Sequence, residues 1–425
     1  MKIPALFLLA ALLCAAETRS LTLQQALDLA LQQNPDLVIA RLDQQKARDQ
    51  VSINKDPFSP KVYAGSGAAW TYGFPTSIDG SAPSIVQART QMALFDRPQS
   101  YLVAEANEML RGAGISVEQR EAEVIYRVTS LFIDAESAAR GLDAAKQEQA
   151  NLARAQQLIQ ARASEGQELA HDSKKANVAV LESAHRVATL EKDARATERS
   201  LAEVLGLAPG DRVHAAEERF PAMQAPLSQE EAIASAFSSS PEIKKLESDL
   251  QAKTLEIKSY RANRLPKVDL VAQYALFAKF NNYTQYFQRF SYNNAELGAS
   301  FSIPLITGRS AKAYASSAEA DTAKIRAQIA QTRARIQDDI ENAFDDLKVA
   351  EDGRALALED LTVTRESTTL DLARQNEGQV LPAQVEQDRA EEQGKWRAYY
   401  DAEAAVARAR LNVLRVTGSL REALK

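Results

Sequence analysis

A chain that worked by acid–base or metal chemistry would have to rely on three histidines, His171, His185 and His214, and one cysteine, Cys14. No two histidines stand at metal-ligand spacing, and Cys14 lies in an apolar leader, so zinc, thiol and disulfide chemistry lack a residue set. Carboxylates are plentiful, with Asp+Glu 57 against Lys+Arg 51. They are scattered along helix-forming stretches, with no nucleophile, base and orienting group in one recognisable setting. The formal net charge of -6 offers nucleic acid no electrostatic footprint. The expectation is therefore a protein that is no enzyme, with no cofactor, no metal and no nucleic-acid partner.

What positions the remaining residues begins with the leader. Residues 1–16 combine Lys2 with an apolar run from Ile3 to Ala16, too short to span a bilayer but shaped like a signal-peptide core. Cys14-Ala15-Ala16 supplies the small residues of a cleavage site. Lipid attachment at Cys14 is the alternative, although Leu13 is not the small residue a lipobox places before the cysteine. No later segment reaches the roughly 18 apolar residues of a spanning helix. Any insertion into a membrane must use strands.

The chain is written twice. Leu23-Gln24-Gln25-Ala26-Leu27 returns as Gln229-Glu230-Glu231-Ala232-Ile233, Asn34-Pro35-Asp36-Leu37 as Ser240-Pro241-Glu242-Ile243, and Pro60-Lys61-Val62 as Pro266-Lys267-Val268, all at one offset. After a few added residues in the second copy, Val128 and Phe132 match Ile340 and Phe344, Glu165-Gly166-Gln167 matches Glu377-Gly378-Gln379, and Gly206 matches Gly418. Two structural repeats, 17–210 and 211–425, follow from this register.

Each repeat opens on a capped helix, since Thr22 with Gln25 and Ser228 with Glu231 have capping-box spacing. Pro35 and Pro241 suit the first turn of a second helix, which ends before Pro60 and Pro266. A strand pair follows in each, at about 61–95 and 267–305. In 62–74, Val62, Ala64, Ala68, Trp70, Tyr72 and Phe74 share a face; in 268–280, Val268, Leu270, Ala272, Tyr274, Leu276, Ala278 and Phe280 do. The return strands put Val86, Ala88, Met92 and Leu94, then Leu297, Ala299, Phe301 and Ile303, on one face. Strands of about ten residues with one apolar face are the signature of an outer-membrane barrel. Tyr283, Tyr286, Phe287, Phe290 and Tyr292 suit a loop at headgroup level.

Long helical hairpins complete each repeat, at about 97–206 and 308–418. No proline falls between Pro98 and Pro209, or between Pro304 and Pro382. Val128, Phe132, Ala135, Ala139 and Leu142 step by four and three, as do Leu190, Ala194, Thr197, Leu201 and Val204. Ile340, Phe344 and Leu347, and Ala402, Val406, Ala409 and Val413, keep the same rhythm, that of coiled-coil packing. Gly166 and Gly378 are the places for the hairpin turns, and Gly112 and Gly114 the places where the first long helix would bend.

Four strands cannot close a membrane barrel, and open edges cannot be left in lipid. Insertion therefore requires several copies to share one barrel, with the hairpins lining a tube beneath it. In this duplicated order of elements the mature chain resembles the TolC-type outer-membrane efflux and secretion channels, through its 21–37 opening, the echo around Pro241, the Pro-Lys-Val strand entries and the turns at Gly166 and Gly378. The resemblance implies an α+β membrane protein: a homotrimer in outer-membrane lipid, four strands per chain in a 12-stranded β-barrel, and antiparallel coiled coils forming a periplasmic α-barrel. It also implies a passive exit duct for efflux or type I secretion, docked on a periplasmic adaptor (membrane fusion) protein and an inner-membrane RND or ABC-type pump.

In such proteins the hairpin turns form the tunnel's inner end. By that resemblance, Gly166, Gln167, Asp172, Gly378, Gln379 and Val380 are the tip and adaptor-contact residues, and Gln384 and Gln387 are pore-lining candidates. Asp172 stands in place of a carboxylate that helps close the tunnel, but Gln375 and Val380 replace its aromatic and basic partners, so that network cannot form as such. Asp172 read on its own is a dipole-favoured residue in a first helical turn, and His171 is a solvated turn residue. The competing reading of the whole chain is an exported coiled-coil tether without a channel.

Overall fold

The computed structural model describes residues 18–67, 84–216, 228–277, 291–305 and 309–424. The leader, the strand continuations with Trp70, Tyr72, Phe74 and Phe280, and the aromatic run from Tyr283 to Phe290 lie outside these residues. In chain order the elements are β1 (Thr18–Leu21), α1 (Leu23–Gln33), α2 (Pro35–Lys55), a 3-10 turn (Asp56–Phe58), β2 (Lys61–Gly65), β3 (Ser84–Phe95), α3 (Arg97–Ser164), α4 (Ala170–Val204) and β4 (Arg212–Ala215). They continue as α5 (Gln229–Ser239), α6 (Pro241–Ala262), β5 (Lys267–Phe277), β6 (Asn293–Ser302), α7 (Ser310–Asn376), α8 (Pro382–Thr417) and α9 (Leu420–Ala423). At 68 and 67 residues, α3 and α7 each run about 100 Å.

The chain divides into two compact units, each drawn from both halves of the sequence. The first comprises Met1–Ile39, Glu118–Ser240 and Arg333–Lys425. Its core joins Leu23, Ala26, Leu27 and Ala30 of α1 to Val128 and Phe132 of α3, Leu201 of α4, Val213 of β4, and Leu411 and Leu414 of α8. A two-stranded parallel sheet, β1 on β4, edges this core, with Thr18 opposite Arg212 and Leu21 opposite Ala215. The sequence reading of four strands per chain omitted this pair. Four residues carry too short a period-2 pattern to stand out.

The Thr22 cap is complete, because Gln25 N donates to Thr22 Oγ1 and Thr22 N donates to Gln25 Oε1. At α5 the hydroxyl half is present, Glu231 N donating to Ser228 Oγ at 3.2 Å. Asn34 ties α2 to the end of α4: its Nδ2 donates to Val204 O at 2.7 Å while its Oδ1 accepts from Leu37 N. Ion pairs set the helix order of this unit as α4–α3–α8–α7. Lys146 and Glu191 join α3 to α4, Arg408 and Asp134 join α8 to α3, and Lys395 and Asp360 join α8 to α7. The coiled-coil positions read from the sequence supply the buried seam: Val128, Phe132, Leu201, Ile340, Val406 and Val413 are all within a few per cent of full burial.

The second unit comprises Ala40–Val117 and Pro241–Thr332. Its four-stranded antiparallel sheet has the order β2–β3–β5–β6. Beside it α3 packs against α2, through Asn54 Nδ2 to Leu102 O, and against α6, through Ser248 Oγ to Glu108 O and Ser259 Oγ to Pro98 O. Lys253 and Asp321 join α6 to α7. Gly112 does not interrupt α3, which is one continuous helix. A Cβ at Gly112 would lie 3.2 Å from Lys245 Cδ and 3.3 Å from Ser248 Oγ, so this glycine serves a close approach of α6.

Candidate functional site

The sheet register decides which side chains share a face. Val62 stands opposite Thr90, Thr90 opposite Ala272, and Ala272 opposite Leu297; Met92, Leu270 and Ala299 form another such row. One face therefore carries Val62, Ala64, Val86, Ala88, Met92, Leu270, Tyr274, Leu297 and Phe301, without a charged residue in any described row. The other carries Lys61, Arg89, Gln91, Lys267, Asp269, Gln273, Glu296 and Ser300, with Tyr63 and Val271 as its large apolar members. Apolar side chains on the first face are left bare: Val62 is 74%, Leu297 79% and Phe301 62% exposed. Nothing among the described residues covers them. Among the described residues β2 pairs only with β3 and β6 only with β5, so both edges of the sheet are open.

The two hairpin turns share one backbone solution. Gly166 has φ 74° and Gly378 φ 74°. Gln167 N donates to Arg162 O at 2.9 Å and Gly166 N to Ala163 O at 3.2 Å; Gln379 N donates to Arg374 O at 2.9 Å and Gly378 N to Gln375 O at 3.0 Å. These are paired Schellman bonds, which need a left-handed residue after the helix and so select glycine. In both turns the next helix starts after a leucine, Leu169 or Leu381, whose side chain offers no cap and is exposed. From sequence, both leucines fall within the tip segments 165–169 and 377–382 but carry no role of their own. Their identical place three residues after each glycine was the available signal.

Asp172 is half-buried in the first turn of α4, and its N–H donates to Leu169 O. Gln167 and Gln379 are exposed at the turns, while Val380 is half-buried. Gln384 and Gln387 are both exposed on α8, and Gln384 Nε2 donates to Asp388 Oδ1 at 2.8 Å. Burial pushes the Asp388 carboxyl above its ordinary range, with Gln384 opposing and Asp371 and Glu391 adding to the rise. Glu386 turns away from Asp388 to Arg389 at 2.7 Å and Arg154 at 3.6 Å.

Large exposed apolar side chains also mark the outer helices. They are Val38, Ile39, Leu42 and Ile53 on α2, Val178 and Leu181 on α4, and Tyr314, Val349, Leu356, Leu358, Val363 and Leu370 on α7. The helices between them expose only Met109 and Leu158 of α3. Among the described residues, the outer helices of each unit thus present unpartnered apolar surface, as the sheet presents unpaired edges.

The profile of a family described as "Outer membrane efflux protein" matches residues 26–207 and again 232–419. No match is found among curated protein sequences. Among solved structures, the fold is similar to that of a membrane protein from Pseudomonas aeruginosa, with 17% identity and a TM-score of 0.74 over 93% of both chains. It is similar to the outer membrane channel CmeC of Campylobacter jejuni, with 12% identity and a TM-score of 0.75 over 94% of this chain and 86% of that one. The outer membrane protein VceC of Vibrio cholerae shows 14% identity and a TM-score of 0.71 over 93% of this chain and 96% of that one.

Proposed function

Because this chain belongs to the outer membrane efflux protein family, we propose that three copies build one passive duct, each contributing four strands to a shared barrel. The observation that carries this reading is the sheet with one bare apolar face and two unpaired edges. In lipid each unpaired backbone group costs several kcal/mol, and a strand from a neighbouring copy removes that cost at both edges at once. The apolar face then meets acyl chains, and the face with Arg89, Gln91, Asp269 and Gln273 lines a wet bore.

The apolar margins of the helical layer support the same assembly. Leu356 and Val363 of α7 in one copy, set against Leu181 of α4 in the next, would bury side chains that a single chain leaves in water. The two structural repeats, 17–210 and 211–425, thereby supply quasi-equivalent walls. A coiled-coil tether is not supported, since it gives the bare face of the sheet nothing to meet.

In this reading the tube lies in the periplasm. Gly166, Gln167, Asp172, Gly378, Gln379 and Val380 form its inner end and meet a periplasmic adaptor, beyond which an inner-membrane RND or ABC-type pump supplies the energy. Gln384 and Gln387 line the bore just inside. The duct itself does no work. Opening is a change between two packings of the same hairpins. Electrophoresis of the unheated outer-membrane fraction tests the assembly: a band at three times the chain mass that falls to one on boiling supports it, and a soluble monomer contradicts it.

A further inference from the structure

All four joints between strand and helix lie at one end of the sheet, because β2 and β5 begin there and β3 and β6 end there. The joint segments 55–61, 94–100, 260–268 and 302–313 hold eight basic residues against two acidic ones, Asp56 and Asp96, in a chain whose acids outnumber its bases. Three of the eight are neutralised at home. Lys61 pairs with Asp56, Lys267 with Asp96 at 2.9 Å, and Arg261 with Glu319 at 2.5 Å. The other five, Lys55, Arg97, Arg264, Arg309 and Lys312, are exposed and have no carboxylate partner among the described residues.

The apolar face fixes the level at which these cations stand. Its last cross-strand row at this end is Phe95, Val268 and Phe301, and both phenylalanines are exposed. Aromatic side chains at the rim of a barrel's apolar band sit at headgroup depth. Cations a few residues beyond such a rim lie where lipid phosphates are. The charge is also spread over all four joints rather than gathered in one patch, as contact with a surrounding lipid annulus requires.

We infer that these basic joints form a collar that binds the anionic phospholipid headgroups of the membrane leaflet on the helix side of the barrel. The inference rests on the barrel reading above and adds the ligand of its rim. Its chemistry is phosphodiester recognition by exposed guanidinium and ammonium groups. It selects phosphatidylglycerol or cardiolipin over a zwitterionic lipid.

The test uses the purified oligomer in phosphatidylcholine bilayers, with spin-labelled phosphatidylglycerol and phosphatidylcholine compared for immobilisation at the protein surface. The wild type is expected to enrich phosphatidylglycerol about five-fold at low salt, falling as salt screens the contact. Combining Arg264→Gln, Arg309→Gln and Lys312→Gln should bring the ratio close to one while oligomers persist. Combining Lys192→Gln with Lys348→Gln, on the helices away from the joints, should leave it as in the wild type. A ratio near one in the wild type overturns the collar, as does an undiminished ratio in the triple variant. Protein that never enters the bilayer overturns the barrel reading and the collar with it, an outcome that flotation with the vesicles distinguishes.

Discussion

A Cβ placed on Gly206 would fall 2.6 Å from the carbonyl oxygen of Gln33, so α1 ends directly against the turn that ends α4. The second repeat reproduces the arrangement with Gly418, whose missing Cβ would lie 2.9 Å from Ser239 Oγ. All four helix-ending glycines, Gly166, Gly206, Gly378 and Gly418, have φ between 74° and 76°. Only the two at the core are also crowded; a Cβ at Gly166 or Gly378 would meet nothing within 4 Å.

Alanine substitutions should therefore separate into three classes. Gly206→Ala meets backbone that cannot rotate away and should cost roughly 3 kcal/mol or more, from left-handed strain plus overpacking. Gly418→Ala meets a serine hydroxyl that can change rotamer and should cost less. Gly166→Ala and Gly378→Ala should cost about 1 kcal/mol each, from φ alone. Thermal unfolding in detergent measures the ranking, and equal losses at Gly206 and Gly166 would contradict it.

Stability should also depend on pH through Glu105. Burial and the neighbouring Glu256 raise its carboxyl from an ordinary value of 4.5 to about 7, with Lys253 partly opposing. A folded state that holds the proton more tightly than the unfolded chain has its full advantage below 4.5 and loses it as pH rises through 7. After solvent screening the loss should be on the order of 1–2 kcal/mol. Glu105→Gln keeps the neutral form at every pH. It should flatten the stability profile between pH 5 and 8, and an unchanged slope would remove Glu105 as the cause.

Glu148 of α3 is gripped from both sides. Its Oε2 accepts from Arg397 of α8 at 3.0 Å, and its Oε1 lies 3.7 Å from Arg186 of α4. With the carboxylate largely buried, Glu148→Ala should cost about 1–3 kcal/mol by stranding Arg397, and Glu148→Gln about half as much. The dissociation temperature of the oligomer reads this effect. A wild-type value for Glu148→Ala would show that the two arginines find water as good a partner.

Much of this architecture was legible because its signals are long or duplicated. Stretches of nearly seventy residues with no proline beyond the first turn, and glycines repeated at one offset, left few alternatives for α3, α7 and the turns at Gly166 and Gly378. The faces of β3, β5 and β6 followed from period-2 alternation, and the register then set Val86 opposite Leu276 and Val268 opposite Phe301 on one face, as that alternation requires. What escaped was short or depended on partners far along the chain. β1 and β4 are four residues each, Gly112 is explained by Lys245 and Ser248 of α6, and the clamp on Glu148 joins residues of three helices. At the tips, the sequence located the turns and the segments holding Leu169 and Leu381, but not the exposure of those leucines, because an uncapped leucine before a helix has no pattern of its own.

The tips supply a functional prediction. Gly166→Val and Gly378→Val introduce left-handed strain into exposed turns with free space around them, so the oligomer should persist in the membrane. If the tips meet the adaptor as proposed, distorted turns should nevertheless weaken that contact, and export of a fluorescent substrate from whole cells should fall in both variants. Undiminished export in both would move the working end of the duct elsewhere.

The shared barrel is tested most directly by ion current across a planar bilayer after addition of the purified oligomer. Discrete, long-lived conductance steps are expected, because the polar face of each sheet is turned to a continuous wet bore. Bilayers that stay sealed at protein concentrations where the oligomer has demonstrably inserted would contradict it.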